Sequence, residues 1–239
     1  MTQKILETHH LHVNFGGLAA INNVNLRIHK GEIRCLIGPN GAGKSTLFRC
    51  LSGMQNVSSG QIYFLGQSIT NKHCHAISKM GMGIKTQIPN VMEELNTYEH
   101  IWLAARCQYP YQRAVDKTES IIEKLSLRDI TNSTLSTLAH GRRQIVELAM
   151  VMVQEPSLLL LDEPAAGMND SDLAMIAEIL LEINKSATIV VVDHNIHFIR
   201  KIANIVSVLY QGTIFMEDRA HAVLSNKKVQ DIYLGNELI

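Results

Sequence analysis

The stretch that decides the fold is "GPNGAGKS", from Gly38 to Ser45. It follows the apolar run "IRCLI", which is typical of a buried strand, and it leads into a helix that Gly53 closes. Strand, glycine-rich loop and helix together match the pattern G-x-x-x-x-G-K-[ST] in the context that this pattern requires. Glycines let backbone N–H groups turn inward around phosphate oxygens, and the helix N-terminus adds a partial positive charge. The stretch therefore predicts a nucleotide site on an α/β fold.

The side chains of this loop have separate expected roles. Lys44 should reach the β- and γ-phosphates, and the hydroxyl of Ser45 should bind Mg²⁺. An ordinary glycine-rich turn is the alternative, and the agreement between motif and context argues against it. The residues expected to hold the nucleotide are Gly38, Pro39, Asn40, Gly41, Ala42, Gly43, Lys44, Ser45 and Thr46.

A second apolar run, "LLLLDEP", ends in two acids. Asp162 comes at the end of this strand and is placed to hold Mg²⁺, directly or through water. Glu163 follows it and is placed to act as general base for an attacking water. A chance apolar strand that ends in two acids is the alternative, but the phosphate loop earlier in the chain favours the catalytic interpretation.

The remaining pattern predicts how the chain is arranged. "SATIVVVDH" is another buried strand, and the amphipathic helix "DSDLAMIAEILLEIN" separates it from "LLLLDEP". Strand, helix and strand with buried strands predict a parallel sheet. The stretch before the phosphate loop predicts short strands, with a turn at Gly16-Gly17. Near the C-terminus, "IVSVLYQGTIFMED" predicts a hairpin that turns at Gln211-Gly212, with a helix after it.

Helical periodicity dominates the middle of the chain. "TYEHIWLAARCQ" and "AVDKTESIIEKLSL" carry apolar residues three and four apart. We therefore expect one domain over residues 1–239, with a nucleotide-binding core from 1–89 and 156–239 and an inserted helical subdomain at about 90–155. The predicted fold class is an α/β phosphate-loop NTPase core with a mixed, largely parallel sheet, an N-terminal antiparallel β part and the helical insert.

Composition argues against several function classes. Hydrophobic residues make up 46% of the chain, and 22 basic residues balance 22 acidic ones. A nucleic-acid partner is not expected, because such proteins usually show a basic excess or stripe. No apolar run approaches the roughly 18 to 20 residues that cross a bilayer, and the N-terminus lacks the apolar core of a signal peptide. We therefore expect a cytosolic protein that reaches a membrane only through a partner.

The order of the motifs resembles one known family. After the phosphate loop come "LAHGRRQ" from Leu138, then "LLLLDEP", then "VVVDH". This order, over nearly the whole chain, resembles the ABC-transporter ATPases. The resemblance implies hydrolysis of ATP with Mg²⁺ to drive transport across a membrane.

The resemblance also implies roles for three more residues. Gln87, in "GIKTQ", resembles the glutamine that touches Mg²⁺ and the attacking water. His194 resembles the switch histidine that contacts the γ-phosphate, with a satisfied histidine at a strand end as the alternative. Phe15 resembles the aromatic residue that stacks on adenine, and a core phenylalanine is the alternative.

The family's Leu-Ser-Gly-Gly-Gln motif begins a helix that faces the ATP held by a partner subunit. Ala139 stands where the family has the serine whose hydroxyl bonds the γ-phosphate, and His140 or Thr137 could supply the missing donor. Gly141 stands where the backbone must approach phosphate closely. A helix start without a ligand is the alternative. The residues expected to act on the partner's nucleotide are Leu138, Ala139, His140, Gly141 and Arg142.

The segment "DEPAAGMND" resembles the loop that crosses the interface between two motor subunits. Asn169 stands where the commonest family version has aspartate. An amide keeps the hydrogen-bonding role but carries no charge, so no ion pair is expected at this position.

The resemblance implies partners as well. These are a second motor subunit, identical or different, integral-membrane permease subunits, and indirectly an extracytoplasmic solute-binding protein. The chain would then lie at the cytoplasmic face of the membrane.

The subfamily resemblance is to the ATPases of branched-chain amino-acid and urea importers, through "FGGLAAINNVNL", "DEPAAGMN" and the terminal "YLG". The histidine of "AHG", the Gly-Met of "AAGMN" and the short stretch between Gln87 and Leu138 favour the urea type. Lipopolysaccharide-exporting ATPases share "DHN" and "YLG" and remain an alternative. So do a soluble ABC protein acting on ribosomes or DNA and a small-molecule kinase with a phosphate loop.

Overall fold

The computed structural model describes residues 3–87 and 91–233. These residues form two β-sheets and a set of helices around them. The strands are β1 Lys4–Phe15, β2 Leu18–His29, β3 Ile33–Ile37, β4 Ser59–Phe64, β5 Gln67–Ser68, β6 Met82–Lys85, β7 Leu158–Asp162, β8 Thr188–Val192, β9 Ile205–Tyr210 and β10 Thr213–Arg219. The α-helices are α1 Lys44–Leu51, α2 Cys74–Lys79, α3 Thr97–Arg106, α4 Tyr111–Lys124, α5 His140–Met152, α6 Asp170–Asn184, α7 Ile196–Ile202, α8 Ala220–Leu224 and α9 Lys227–Tyr233.

The larger sheet is mixed and mostly parallel, as the sequence predicted. Its strand order is β10-β9-β3-β8-β7-β6. Strand β3 pairs in parallel with both β8 and β9, and β7 pairs in parallel with β6 and β8. Only β10 runs antiparallel, to β9, in the hairpin predicted at Gln211-Gly212. Both turn residues have positive φ, 48° and 75°, as the tight two-residue turn of a hairpin requires.

Both faces of this sheet are covered, which explains its continuous apolar strands. Leu158 and Leu160 of β7 pack into one hydrophobic cluster, with α1 and the N-terminal sheet. Leu159 and Leu161 point the other way, into a cluster that the helices of the middle of the chain share. Successive strand residues face opposite sides, so each side needs its own apolar set.

The smaller sheet, in the order β2-β1-β4-β5, is antiparallel throughout. Strands β1 and β2 have 12 residues each, so the expectation of short strands was wrong here. Their pairing shifts register at several points, and His10 and Asn23 take positive φ. Such bulges increase the local twist and let two long strands curve over a core.

Helices α3, α4 and α5 fall within the stretch predicted to be helical. Helix α3 begins with a capping box, in which the Asn96 side chain accepts from the Glu99 N–H and the Glu99 carboxylate accepts from the Asn96 N–H. The three helices share a hydrophobic cluster with the parallel sheet. The division into a core and a helical subdomain stays a prediction.

The register of the parallel strands gathers their carboxyl ends at one edge. Val192 of β8 lies opposite both Leu36 of β3 and Asp162 of β7. Lys85, at the end of β6, lies opposite Leu161. The loops that follow these four strands therefore meet at one edge, where ligands bind in open α/β sheets.

Candidate active site

The phosphate loop follows β3 and is shaped by its glycines. Gly38, Gly41 and Gly43 have φ values of 149°, 78° and 102°. A Cβ on Gly38 would lie 2.1 Å from the Leu209 carbonyl oxygen, and one on Gly43 would lie 2.5 Å from that of Ala20. The backbone path of the loop therefore requires glycine at both positions.

Lys44 places an ammonium group inside this loop. Its Nζ donates to the carbonyl oxygens of Gly38, at 2.7 Å, and Pro39, at 2.9 Å. Burial lowers the pKa of Lys44 from its usual value, and the nearby carboxylates of Glu163 and Asp162 oppose that shift. A cation held here at the start of α1, beside the helix N-terminus, is suited to binding phosphate oxygens.

Asp162 ends β7 at the same edge and is half-buried. Burial, with a contribution from the Glu163 charge, raises the pKa of Asp162 to about 6. Ser45 lies exposed in the first turn of α1. In the described part of the chain, no group of three or more His, Cys, Asp or Glu is arranged to hold a metal by itself. Mg²⁺ in nucleotide sites commonly uses one or two carboxylates together with substrate phosphates, and this sparse oxygen donor set fits that chemistry.

Glu163 meets the other two predicted catalytic residues. Its Oε2 accepts a hydrogen bond of 2.8 Å from Gln87 Nε2, and its Oε1 lies 3.4 Å from His194 Nδ1. The backbone of Glu163 has φ 47°, and its N–H donates to Val192 O at 2.7 Å. A non-glycine residue in this conformation costs roughly 1–3 kcal/mol and is typical of functional sites. The structure thus brings Gln87, Glu163 and His194 together.

Asp193 is a site residue that the sequence reasoning did not single out. It is 1% exposed, and its Oδ1 accepts from the N–H groups of His194, at 2.8 Å, and Asn195, at 2.9 Å. Its Oδ2 accepts from the Ala165 N–H at 3.3 Å. Burial raises the pKa of Asp193, and these backbone hydrogen bonds oppose the rise. Asp193 thereby ties the segment after Glu163 to the segment after β8; its place at the end of the "IVVV" strand was the available signal.

A cavity of about 390 Å³ opens at this edge. Its lining residues are Gly38, Pro39, Asn40, Glu163, His194 and Tyr233. Tyr233 was not predicted as a site residue, and it entered the sequence reasoning only as part of "YLG". Leu234 and Gly235 of that motif lie outside the described residues.

The comparisons with known proteins agree with this geometry. A family model described as ABC transporter matches residues 21–166. The chain belongs to the ABC transporter family. It is 32% identical over 246 residues to a probable branched-chain amino acid transport ATP-binding protein, LivG, of Archaeoglobus fulgidus, with 97% of this chain and 96% of the relative covered. It is 31% identical over 253 residues to the high-affinity LivG protein of Escherichia coli K12, with 98% and 99% covered.

Solved ABC structures share the fold. An ATP-binding cassette of an ABC transporter in its ADP conformation superposes with a TM-score of 0.88 and is 27% identical, covering 98% of this chain and all of that one. A nucleotide-free cassette gives the same TM-score at 26% identity, covering 97% of this chain and 99% of that one. The chain is thus an ATP-binding subunit of the ABC class. No helix in the described ranges is long and apolar enough to cross a membrane.

Phe15, the candidate adenine contact of this ABC subunit, ends β1 at the turn into β2. It is 49% exposed, so it does not belong to the core, which was the alternative for this residue. Stacking of Phe15 on adenine stays a prediction.

The stretch that resembles the family's Leu-Ser-Gly-Gly-Gln motif lies at the start of α5, and the structure confirms that a helix begins there. Helix α5 begins at His140, with Ala139 as the N-cap, and Ala139 supplies no side-chain cap. Leu138 packs against the hydrophobic cluster. Action of this helix start on a partner's nucleotide stays a prediction.

The polar side chains near this helix start bond within their own chain. His140 Nε2 donates to the Ala166 carbonyl oxygen at 2.9 Å, since a carbonyl can only accept. Thr137 Oγ1 donates to Thr134 O at 2.8 Å, and Arg142 pairs with Asp129 at 3.2 Å. Both suggested replacements for the missing serine hydroxyl, His140 and Thr137, therefore have partners in this chain.

A neighbouring side chain within this chain favours glycine at position 141, and the sequence did not reveal this contact. A Cβ on Gly141 would lie 2.5 Å from Cγ of Asp172 on α6. Asn169 caps α6, accepting from the Asp172 N–H at 2.9 Å and donating to Asp172 Oδ2 at 3.0 Å. A side chain at position 141 would therefore displace the Asp172 carboxylate, so glycine gives this carboxylate its place beside the start of α5.

A buried ion pair joins α5 to the strand that precedes Gln87. Lys85 Nζ lies 3.0 Å from Glu147 Oε2, and both side chains are almost fully buried. Lys85 ends β6, two residues before Gln87. Sequence reasoning missed this pair, and the only signal was a lysine at the end of a mostly apolar strand.

Proposed function

We propose that this chain is the ATP-hydrolysing motor subunit of an ABC importer for branched-chain amino acids or urea. The observation that carries the proposal is the convergence at one sheet edge. The phosphate loop with Lys44 meets Asp162 there, and Glu163 contacts Gln87 and His194 at the mouth of one cavity. Family membership and the names of the full-length relatives support the transport role.

The residues divide the work of phosphoryl transfer to water. The loop N–H groups and Lys44 bind the phosphates, and Ser45, Asp162 and Gln87 are the residues that would hold Mg²⁺. When bound, the ion neutralises the charge that develops on the phosphate oxygens. Glu163 accepts the proton of the attacking water, and Gln87 and His194 keep the Glu163 carboxylate and that water in place.

A second motor subunit completes the site in this proposal. No residue of α5 lines the cavity among the residues that the structure describes. By its resemblance to the family's signature motif, the α5 start, with Leu138 to Arg142, acts on the nucleotide of the other subunit. Closure of the two subunits on ATP is passed to permease subunits beside Gln87. The motor is held at the cytoplasmic face of the membrane by the permease, and a solute-binding protein delivers the solute on the other side.

Two observations bear on the solute. The relatives' names support branched-chain amino acids. The histidine of "AHG" and the Gly-Met of "AAGMN" support urea. The solute itself is recognised by other subunits in this proposal. The sequence of the motor therefore indicates only the transporter subfamily to which it belongs.

Uptake by the assembled transporter tests the proposal. The chain is reconstituted with the permease proteins encoded beside its gene in lipid vesicles that enclose the motor and ATP, and the solute-binding protein is added outside with labelled leucine and labelled urea. We expect uptake of one solute, with phosphate released to water. ATP hydrolysis without uptake of either solute would overturn the solute assignment, and phosphate transfer to a small acceptor would overturn the motor role.

A further inference from the structure

The last described helix reaches back to the phosphate loop. Tyr233 ends α9, and its hydroxyl oxygen accepts a hydrogen bond of 2.7 Å from the backbone N–H of Gly38. The two residues are 195 positions apart in the chain, and Gly38 is the first residue of the loop. A contact over such a distance in sequence is a product of tertiary packing.

Helix α9 is fixed by its own contacts. Val229 and Ile232 are 2% and 4% exposed, and the Gln230 side chain donates to Leu224 O at 3.2 Å. Burial raises the pKa of Tyr233 to about 12, so its hydroxyl stays neutral at physiological pH. The tyrosine is therefore held as a neutral acceptor for a buried peptide N–H.

Both backbone polar groups of Gly38 are hydrogen-bonded to side chains. Its N–H donates to Tyr233, and its carbonyl oxygen accepts from Lys44 Nζ. Gly38 is buried and has no room for a Cβ beside Leu209 O. Gly38 therefore links the Tyr233 hydroxyl to the Lys44 ammonium group, which is to bind phosphate.

Tyr233 also faces the catalytic side of the cavity. It lines the cavity with Pro39 and Asn40 of the loop and with Glu163 and His194 opposite. The tyrosine therefore lies where the loop and the hydrolytic residues meet.

We propose that Tyr233 is a positioning residue for ATP hydrolysis, whose hydroxyl fixes the Gly38 peptide, and through it Lys44, against Glu163 and His194. The proposal rests on the ATPase function proposed above. It makes the C-terminal helix part of the active site. The hydroxyl acts mainly on the catalytic step, because most loop N–H groups that bind phosphate lie beyond Gly38.

The test is Tyr233→Phe, which keeps the ring and removes only the hydroxyl. We expect kcat to fall about 3- to 10-fold, the effect of losing one aligning hydrogen bond, while the Kd for ATP changes less than about 2-fold. Kinetics of phosphate release give kcat, and a fluorescent ATP analogue gives Kd. Hydrogen exchange of the nucleotide-free protein should show faster exchange at the Gly38 amide.

Tyr109→Phe is the matched control. The Tyr109 hydroxyl donates to Glu155 at 3.0 Å, away from the phosphate loop. This variant should lose comparable thermal stability and keep its kcat. Equal kcat in the two variants would overturn the proposal, as would unchanged exchange at Gly38. A wild-type chain without ATPase activity would remove the proposed function, while the exchange result would still decide the Tyr233–Gly38 contact.

Discussion

The sheet edge and the start of α5 are built in opposite ways. At the sheet edge, functional side chains contact one another around a cavity: Gln87 and His194 both approach the Glu163 carboxylate. At the start of α5, the polar side chains bond instead to groups that do not line this cavity. His140 bonds to Ala166, and Gly141 leaves space for Asp172. One region is assembled to receive a ligand, while the other is anchored to its surroundings.

The contacts of α5 connect its start to the sheet edge. Ala166 lies three residues after Glu163, so the His140 hydrogen bond joins the start of α5 to the catalytic segment. Further along the helix, Glu147 pairs with Lys85 at the base of the Gln87 loop. Helix α5 therefore contacts both segments that carry the proposed catalytic residues Glu163 and Gln87. A displacement of α5 would act on Glu163 and Gln87 together.

The largest expected effect is at the sheet edge, with Glu163→Gln. The amide keeps the size of the side chain but cannot accept a proton, so turnover should fall at least about 100-fold while ATP still binds. Steady-state ATPase rates and equilibrium nucleotide binding measure the two effects. Glu178→Gln, at an exposed position of α6, is the isosteric control and should behave like the wild type. Near-normal turnover of Glu163→Gln would remove Glu163 from the role of base.

The next effect is on nucleotide affinity, with Lys44→Ala. The lost ammonium contributes charge-assisted hydrogen bonds of roughly 1.5–3 kcal/mol, so the Kd for ATP should rise about 10- to 150-fold. Isothermal titration calorimetry measures it. Lys79→Ala, at the exposed end of α2, provides the control for lost surface charge. Unchanged affinity in Lys44→Ala would contradict the phosphate-loop assignment.

Gly141→Ala tests whether the α5 start is constrained from within the chain. The new methyl group would lie 2.5 Å from Asp172 Cγ, so the Asp172 carboxylate must move and lose its hydrogen bond from Asn169, with a loss of about 0.5–1.5 kcal/mol in the free energy of unfolding. Urea denaturation measures the loss. Adding Asp172→Ala should restore part of it, because the obstructing carboxylate is gone. If the double variant loses as much free energy of unfolding as the two single variants lose together, the Asp172 carboxylate does not constrain position 141.

The smallest expected effect is that of His140→Ala. Loss of the bond to Ala166 O should slow turnover of the assembled motor about 2- to 10-fold, with little change in ATP binding by the monomer. His140→Gln, which can still donate to that carbonyl, should recover much of the rate. Turnover of the alanine variant at the wild-type rate would show that His140 neither supports the catalytic segment nor replaces the serine hydroxyl.

Much of the sheet edge could be predicted from local sequence. The glycine spacing of "GPNGAGKS" follows from backbone sterics, since Gly38 and Gly43 have no space for a Cβ. The acids at the ends of buried strands were visible because parallel strands end at a common edge. The sequence also showed that a helix starts near His140, and the structure confirms it.

Contacts between distant segments could not be predicted in this way. The partner of His140 depends on where the segment after Glu163 runs, and the neighbour of Gly141 depends on where the first turn of α6 places Asp172. Asp193 gained its role only when three backbone N–H groups from two segments converged on it. No local pattern encodes these positions.

The sequence by itself determined the phosphate loop, the acids that accompany it and the α/β class, because backbone sterics and strand periodicity act over a few residues. Only the tertiary structure decided that Glu163 contacts both Gln87 and His194, that α5 is tied to the catalytic segments, and that Tyr233 holds Gly38. These contacts join residues far apart in the chain. They are set by strand register and helix packing, which depend on the whole fold.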